Sequence, residues 1–458
     1  MLDWTLHHSP KLEERYFETR HPSGLRILVA PKDLSAAYAT IGVEYGSRDR
    51  LAGCVTPPGV AHFLEHKMFE RADGTSWEDV FSALGAEVNA YTSDDCTAYM
   101  FSATDRVGEA LEALLRMVSD LSVTSASVSR ERKIIAEEIR MNADDPWEVC
   151  YANMLRGLYP PVKRRGFSWS GNPVREEICG TVASIRRITP TVLREAHRRF
   201  YRPHNMFLAV SGRITPEEVG EVAERVLGTE VSASAWEAPV SRLTAGGDGA
   251  GVYKPRVTAA MEAAKPLFSI GVRLPHVPDD PVGLVRLERR MTLLAEMLFS
   301  RSGDLYDRLF EEGLVNPGIA YGSSLGRPTL GGRGDGYGYL YLSGECDDPE
   351  QVYEAFLRYT ETLWRDGLDP AAFERARRTM YADYVYGFDS TESIASALMT
   401  AAMDSLDLYD LPRLDGEMTA EEITALFKEA FTPAHYTLST VIPHGWDSRK
   451  PLINKEIL

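Results

Sequence analysis

Val60-Ala61-His62-Phe63-Leu64-Glu65-His66-Lys67-Met68-Phe69 is the stretch on which the reading of this chain turns. The sequence predicts a helix from about Gly59 to Phe69. One helical turn separates His62 from His66, so both imidazoles project from one face and can hold a single metal ion. Glu65 lies three residues after His62 and beside His66, within reach of a water bound to that ion. Neutral imidazoles suit zinc, and a carboxylate beside the bound water can act as general base.

Two histidines four residues apart also arise by chance, and catalytic zinc needs three protein ligands with one open position. The helix predicted over Ser127 to Met141 offers Glu131, Glu137 and Glu138. Glu131, Ile134, Ile135 and Glu138 follow the i, i+3, i+4, i+7 rule, which puts both glutamates on the inward, apolar face. Glu137 shares its side with Arg130, Lys133 and Arg140, a solvated face of alternating charge. Carboxylates are seldom buried without a cation. Glu138 is therefore taken as third ligand, and Glu131 as a carboxylate that orients a histidine or positions the water. The plainer reading of Glu131 is an ion pair with an arginine.

The rest of the chain bounds what such a site can belong to. Its 458 residues suggest two to four domains. Hydrophobic residues at 44% and charged residues at 26% are globular values. A formal charge of −17, from 50 Lys plus Arg against 67 Asp plus Glu, argues against nucleic acid as a partner. No apolar run approaches the roughly 20 residues of a membrane span. The opening residues Met1 to His8 lack the basic and apolar regions of a signal peptide, so a cytoplasmic protein is expected. Five scattered cysteines, Cys54, Cys96, Cys150, Cys179 and Cys346, form no paired spacing and read as small buried hydrophobes.

The chain reads as an α+β fold in two duplicated halves. Strands are expected at Gly24 to Ala30, Ala39 to Tyr45, Gly85 to Tyr91, Thr97 to Ala103 and Met206 to Val210. Helices are expected at Arg106 to Val118 and Pro190 to Phe200, with a loop over Asp144 to Pro173. The small and polar residues of 236–251 read as a linker between domains at 1–235 and 252–458. Beyond it, Leu267 to Val272 repeats the place of Ala39 to Tyr45. Likewise Phe431-Thr432-Pro433 before Tyr436 to Val441 repeats Phe200 to Pro203 before Met206 to Val210. Glu374-Arg375 parallels Glu131-Arg132, but Tyr381 stands seven residues after Glu374, so the second half lacks the zinc residues. Leu330 to Gly336 is glycine-rich without a following Lys-Ser/Thr, so it reads as a hairpin turn and not a phosphate loop. Lys163-Arg164-Arg165 reads as a solvated loop.

His62-Phe63-Leu64-Glu65-His66 is the inverted H-x-x-E-H order. With Glu131-Arg132 and Glu138, it resembles the pitrilysin or insulinase superfamily of zinc metallopeptidases, which includes mitochondrial processing peptidase and small bacterial peptidases. Asn89-Ala90-Tyr91-Thr92, Gly180-Thr181 and Tyr201-x-Pro203-x-Asn205-Met206 extend the resemblance over nearly the whole chain. It implies that each half is an α/β sandwich of helices on an antiparallel-rich sheet, and that the chain is half of a clam-shell that binds one zinc and hydrolyses short or unfolded peptides, in a chamber closed by a second copy or a related peptidase-like chain. It implies that Asn89 and Ala90 bind substrate as an added strand, and that Tyr321 stabilises the oxyanion. The arginine that accompanies such a tyrosine has no match here, since Leu314 stands seven residues before Tyr321. The competing reading, a noncatalytic binding or assembly subunit, belongs to relatives that have lost the zinc residues.

Overall fold

The computed structural model describes residues 2–49, 56–161, 173–175, 177–228, 251–278, 280–326 and 336–446. Cys54, the basic run at 163–165, most of the expected linker and the glycine-rich stretch up to 335 lie outside the described residues.

The first sheet contains β1 (Thr5–Ser9), β2 (Glu14–Arg20), β3 (Arg26–Pro31), β4 (Ala37–Val43), β5 (Ala86–Thr92), β6 (Thr97–Ala103) and β7 (Met206–Gly212). Their order is β1-β2-β3-β7-β4-β6-β5. The second contains β8 (Arg256–Met261), β9 (Leu267–Arg273), β10 (Ala320–Gly326), β11 (Tyr337–Glu345) and β12 (Tyr436–Pro443), in the order β10-β11-β9-β12-β8. Set side by side, β3-β7-β4-β6-β5 and β8-β12-β9-β11-β10 are one topology used twice. In each, the first pair is parallel and the others antiparallel. This matches the α+β expectation and the repeat read from Ala39 to Tyr45 and Leu267 to Val272.

Alternation along the strands gives the first sheet two apolar faces. Ile27, Val29, Ile41, Val43, Tyr99, Phe101, Leu208 and Val210 meet helices Val60–Met68, Val107–Ser119, Pro190–Phe200 and Pro216–Leu227. Leu28, Tyr38, Ala98, Met100 and Ala209 look the other way, onto Ile394, Leu398 and Met399 of helix Thr391–Met403.

The chain therefore divides into two compact units that are not its contiguous halves. One comprises Met1–Ile139, Glu176–Leu243 and Tyr381–Leu414; the other comprises Arg140–Arg175, Thr244–Met380 and Asp415–Leu458. Each sheet is covered on one face by a helix lent from the opposite half of the sequence. In the second unit the lent helix is Pro146–Leu158, whose Met154 and Leu158 lie against Tyr337 and Tyr339. The equivalent strands β4 and β9 each carry a glycine beneath the lent helix. A Cβ on Gly42 would stand 2.7 Å from Met399 Sδ, and one on Gly271 would stand 2.8 Å from Met154 Cγ.

Helix Pro146–Leu158 corrects the loop expected over Asp144 to Pro173. Asp145 is its N-cap, accepting hydrogen bonds from Trp147 N at 2.8 Å and Glu148 N at 3.4 Å, and Pro146 occupies the first turn. Asp-Pro there starts a helix; its fixed φ and missing N–H suit that position.

Candidate metal centre

Helix Val60–Met68 is short and almost wholly buried. Phe63, Leu64 and Met68 enter the core, while His62 and Glu65 are also buried and His66 is half-buried. Helix Ser125–Asp144 runs beside it and supplies Glu131 and Glu138 two turns apart. Val128, Ile135 and Ala136 form its buried side. Ile134 does not: it is 57% exposed, which corrects its assignment to the inward face. The apolar stripe is narrower than the sequence rule allowed, and the two glutamates sit at its edge. Glu137 is exposed, as its charged neighbours require.

The three expected ligands converge. One donor atom from each of His62, His66 and Glu138 lies within 4.8 Å of the others. Glu138 faces both rings, with Oε1 3.3 Å from His62 Nε2 and Oε2 3.6 Å from His66 Nε2. The rings stand nearly edge to face, their centroids 4.6 Å apart. His66 Nδ1 is engaged by Glu131 Oε1 at 3.0 Å, so a proton on Nδ1 leaves the Nε2 lone pair turned toward Glu138. Two imidazole nitrogens and a carboxylate, converging with one ring's tautomer set from behind, are a donor set that fits zinc. His62 Nδ1 is buried and has no hydrogen-bond partner among the described residues, so the outer support falls on His66.

The charges are coupled. Burial lowers the His66 pKa, but the hydrogen bond to Glu131 and the carboxylates of Glu65 and Glu138 outweigh it, so His66 lies above the ordinary histidine value. Burial raises Glu131, yet His66 and Lys67 bring it below the usual carboxylate range. The hydrogen bond with His62 lowers Glu138. A metal ion here would need His66 and Glu138 unprotonated, so metal and protons would compete.

Glu65 is not in the ligand set. Thr92 Oγ1, at the end of β5, donates to Glu65 Oε2 at 2.6 Å. Behind it, Tyr99 and Tyr201 join their hydroxyls at 2.6 Å; burial and the Glu65 charge both push these phenols up. Arg132, next to Glu131, turns the opposite way and donates to the carbonyls of Ile185 at 3.1 Å and Ile188 at 2.9 Å. Thus the Glu-Arg pair has two tasks: Glu131 steadies His66, and Arg132 ties its helix to the turn after Thr181.

Asn89 and Ala90 lie on β5, the edge strand of the first sheet. Asn89 is exposed, and its Oδ1 accepts from Ala90 N at 2.8 Å. Tyr321 lies in the second unit on its edge strand β10, and its hydroxyl donates to Glu296 Oε2 at 2.9 Å. Arg308, the arginine nearest before Tyr321 in the sequence, lies over the Tyr359 ring at 4.9 Å. The hydrogen bond from Thr92 to Glu65 has no signal in the sequence, since it joins a strand end to a helix.

The description "Insulinase (Peptidase family M16)" matches residues 30–159, and "Peptidase M16 inactive domain" matches 187–380. The chain is 28% identical over 443 residues to the uncharacterized zinc protease YmfH of Bacillus subtilis, covering 94% of this chain and 98% of that one. A crystal structure described as an M16-like peptidase from Alicyclobacillus acidocaldarius superposes with a TM-score of 0.81 at 28% identity, covering 96% and 98% of the two chains. Pitrilysin shares the fold, with a TM-score of 0.69 at 17% identity; 97% of this chain matches 46% of that one. Among the described residues, no helix is long and apolar enough to cross a membrane.

Proposed function

The chain belongs to the insulinase family of peptidases, family M16, and from that premise we propose that it is a zinc-dependent endopeptidase acting on short or unfolded peptides. The observation that carries this reading is the convergence of His62, His66 and Glu138, with Glu65 beside them and outside the ligand set. In this reading His62, His66 and Glu138 would hold the ion. Zinc, when bound, supplies a Lewis acid that polarises the peptide carbonyl and makes water more acidic.

The remaining work falls to side chains of this protein. Thr92 fixes Glu65 Oε2, leaving Oε1 to take a proton from the attacking water and return it to the departing amine. Glu131 keeps the His66 ring in one orientation. The free edge of β5 gives a substrate backbone a ladder to join, with Asn89 and Ala90 lining it. Tyr321 is proposed to donate to the developing oxyanion, which requires its hydroxyl to leave Glu296. The first half of the sequence carries the chemistry and the second supports it. In this reading a second chain, either another copy or a relative, completes a chamber around the site.

Replacing Glu65 with Gln tests the reading. The variant should bind one zinc as the wild type does, while hydrolysis of a quenched fluorescent peptide library falls by roughly 10²–10⁴. Undiminished hydrolysis would refute the role of Glu65. Zinc without hydrolysis in the wild type, alone and with a related chain, would make the protein a noncatalytic subunit.

A further inference from the structure

Lys67 places a full charge where the neighbouring positions bury Phe63, Leu64 and Met68. Its side chain is 0% exposed. A buried ammonium is costly unless opposite charges surround it. Lys67 has two such neighbours: it is paired with Glu70, one turn later, and its Nζ lies 4.0 Å from Glu131 Oε2. The other Glu131 oxygen holds His66 Nδ1 at 3.0 Å. Glu70 also has Arg130, with Nη2 at 3.4 Å, so it has a cation besides Lys67.

The site needs a positive charge at this point. A dication among Glu65, Glu131 and Glu138 would leave a sum of 2 − 3 = −1; Glu70 and its partner Arg130 cancel each other, and the Lys67 ammonium brings the sum to zero. We propose that Lys67 is a positioning residue for the metal centre: it holds the second oxygen of Glu131, so that the first keeps His66 Nε2 aimed at the metal. This deepens the zinc reading above and rests on it. The competing role is purely structural, with Lys67 serving Glu70 to fasten the end of the helix.

Zinc affinity of the full chain, measured by chelator competition, separates the two roles. Glu131→Gln should weaken binding about 10–100-fold. Lys67→Met should weaken it roughly tenfold through the same contact, with Lys67→Gln run beside it as a second neutral variant. The Lys67→Met/Glu131→Gln double variant should be no weaker than Glu131→Gln alone. The visible spectrum of the cobalt-loaded protein should shift in the same direction in both single variants. Glu70→Gln, which leaves Lys67 on Glu131, should bind zinc as the wild type does.

The proposal is overturned by wild-type affinity in both Lys67 variants, by losses that multiply in the double variant, or by restoration of Lys67→Met on adding Glu70→Gln. A tenfold loss in Glu70→Gln alone would overturn it without any Lys67 variant. A wild type that binds no zinc overturns this proposal and the zinc reading together. Wild-type zinc binding weakened by Glu131→Gln but not by the Lys67 variants overturns this one alone.

Discussion

Placing a single methyl group on Gly42 tests how the lent helix seats on the first sheet. An ideal Cβ there would lie 2.7 Å from Met399 Sδ, 3.2 Å from Met399 Cγ and 3.6 Å from Cys96 Sγ. Overpacking of this kind costs about 1–3 kcal/mol, toward the lower end because the obstacle is a flexible thioether. Alanine also limits the unfolded chain more than glycine does, which returns about 0.4–1 kcal/mol. Gly42→Ala should thus destabilise the wild type by about 0.5–2 kcal/mol. Met399→Ala alone should cost about 2–5 kcal/mol, but it removes the obstacle. In that background Gly42→Ala should stabilise, giving a coupling of roughly 1–3 kcal/mol. At the equivalent site in the second unit, a Gly271 Cβ would meet both Met154 Cγ at 2.8 Å and Leu158 Cδ1 at 2.9 Å. Two side chains must move there, so Gly271→Ala should cost more than Gly42→Ala. Urea unfolding of the full-length single and double variants reads these differences directly. The same sign for Gly42→Ala with and without Met399 would refute the reasoning.

Arg132→Met should cost about 2–4 kcal/mol by unbinding the Ile185 and Ile188 carbonyls; Arg132→Lys should recover little, because the fork is lost, and urea midpoints test both. Burial lowers the pKa of His21 and His197, so the unfolded chain takes up their protons first as pH falls. Their contribution is intact above about pH 6.5 and declines below it, with a slope of up to about 1.4 kcal/mol per pH unit for each group. Zinc-saturated His197→Gln should show a shallower decline than wild type in urea titrations between pH 7.5 and 5.5; equal slopes would remove His197 from the account. A fragment ending at residue 250 lacks helix Thr391–Met403 and bares Leu28, Tyr38, Ala98 and Met100. It should bind a hydrophobic dye and unfold without cooperativity, and a sharp, dye-free transition would argue against the exchange.

The metal site was legible because its chemistry is local. His62, Glu65 and His66 share one helix, and Glu131 and Glu138 share another, so helical spacing alone could group them. The repeated strands were legible for a similar reason, since β4 and β9 have matching order around a central glycine. The partner of a surface is not written in its periodicity. Helix Pro146–Leu158 could be recognised from its Asp-Pro start, but nothing in its pattern says that it covers the second sheet instead of the first. Ile134 was misread because the i, i+3, i+4 rule admits a stripe wider than the one actually buried. Thr92 reaches Glu65 across 27 residues, a contact set by the meeting of a strand end and a helix. The hairpin of β1 and β2 is rich in polar residues, and the sequence reading did not mark it.

The lent helices also have a consequence for synthesis. The two histidines, Glu65, Glu131, Glu138 and all seven strands of the first sheet have been translated once Gly212 is joined, yet the helix that covers that sheet lies within the segment ending at Leu414. The intervening 414 − 212 = 202 residues take about 10–40 s at typical elongation rates of about 5–20 residues per second. During that interval the candidate ligands have been translated, but their scaffold is half dressed. A nascent chain with one apolar sheet face bare is a substrate for chaperones. Arrival of helix Thr391–Met403, more than arrival of the motif, sets the moment at which the first sheet is covered on both faces.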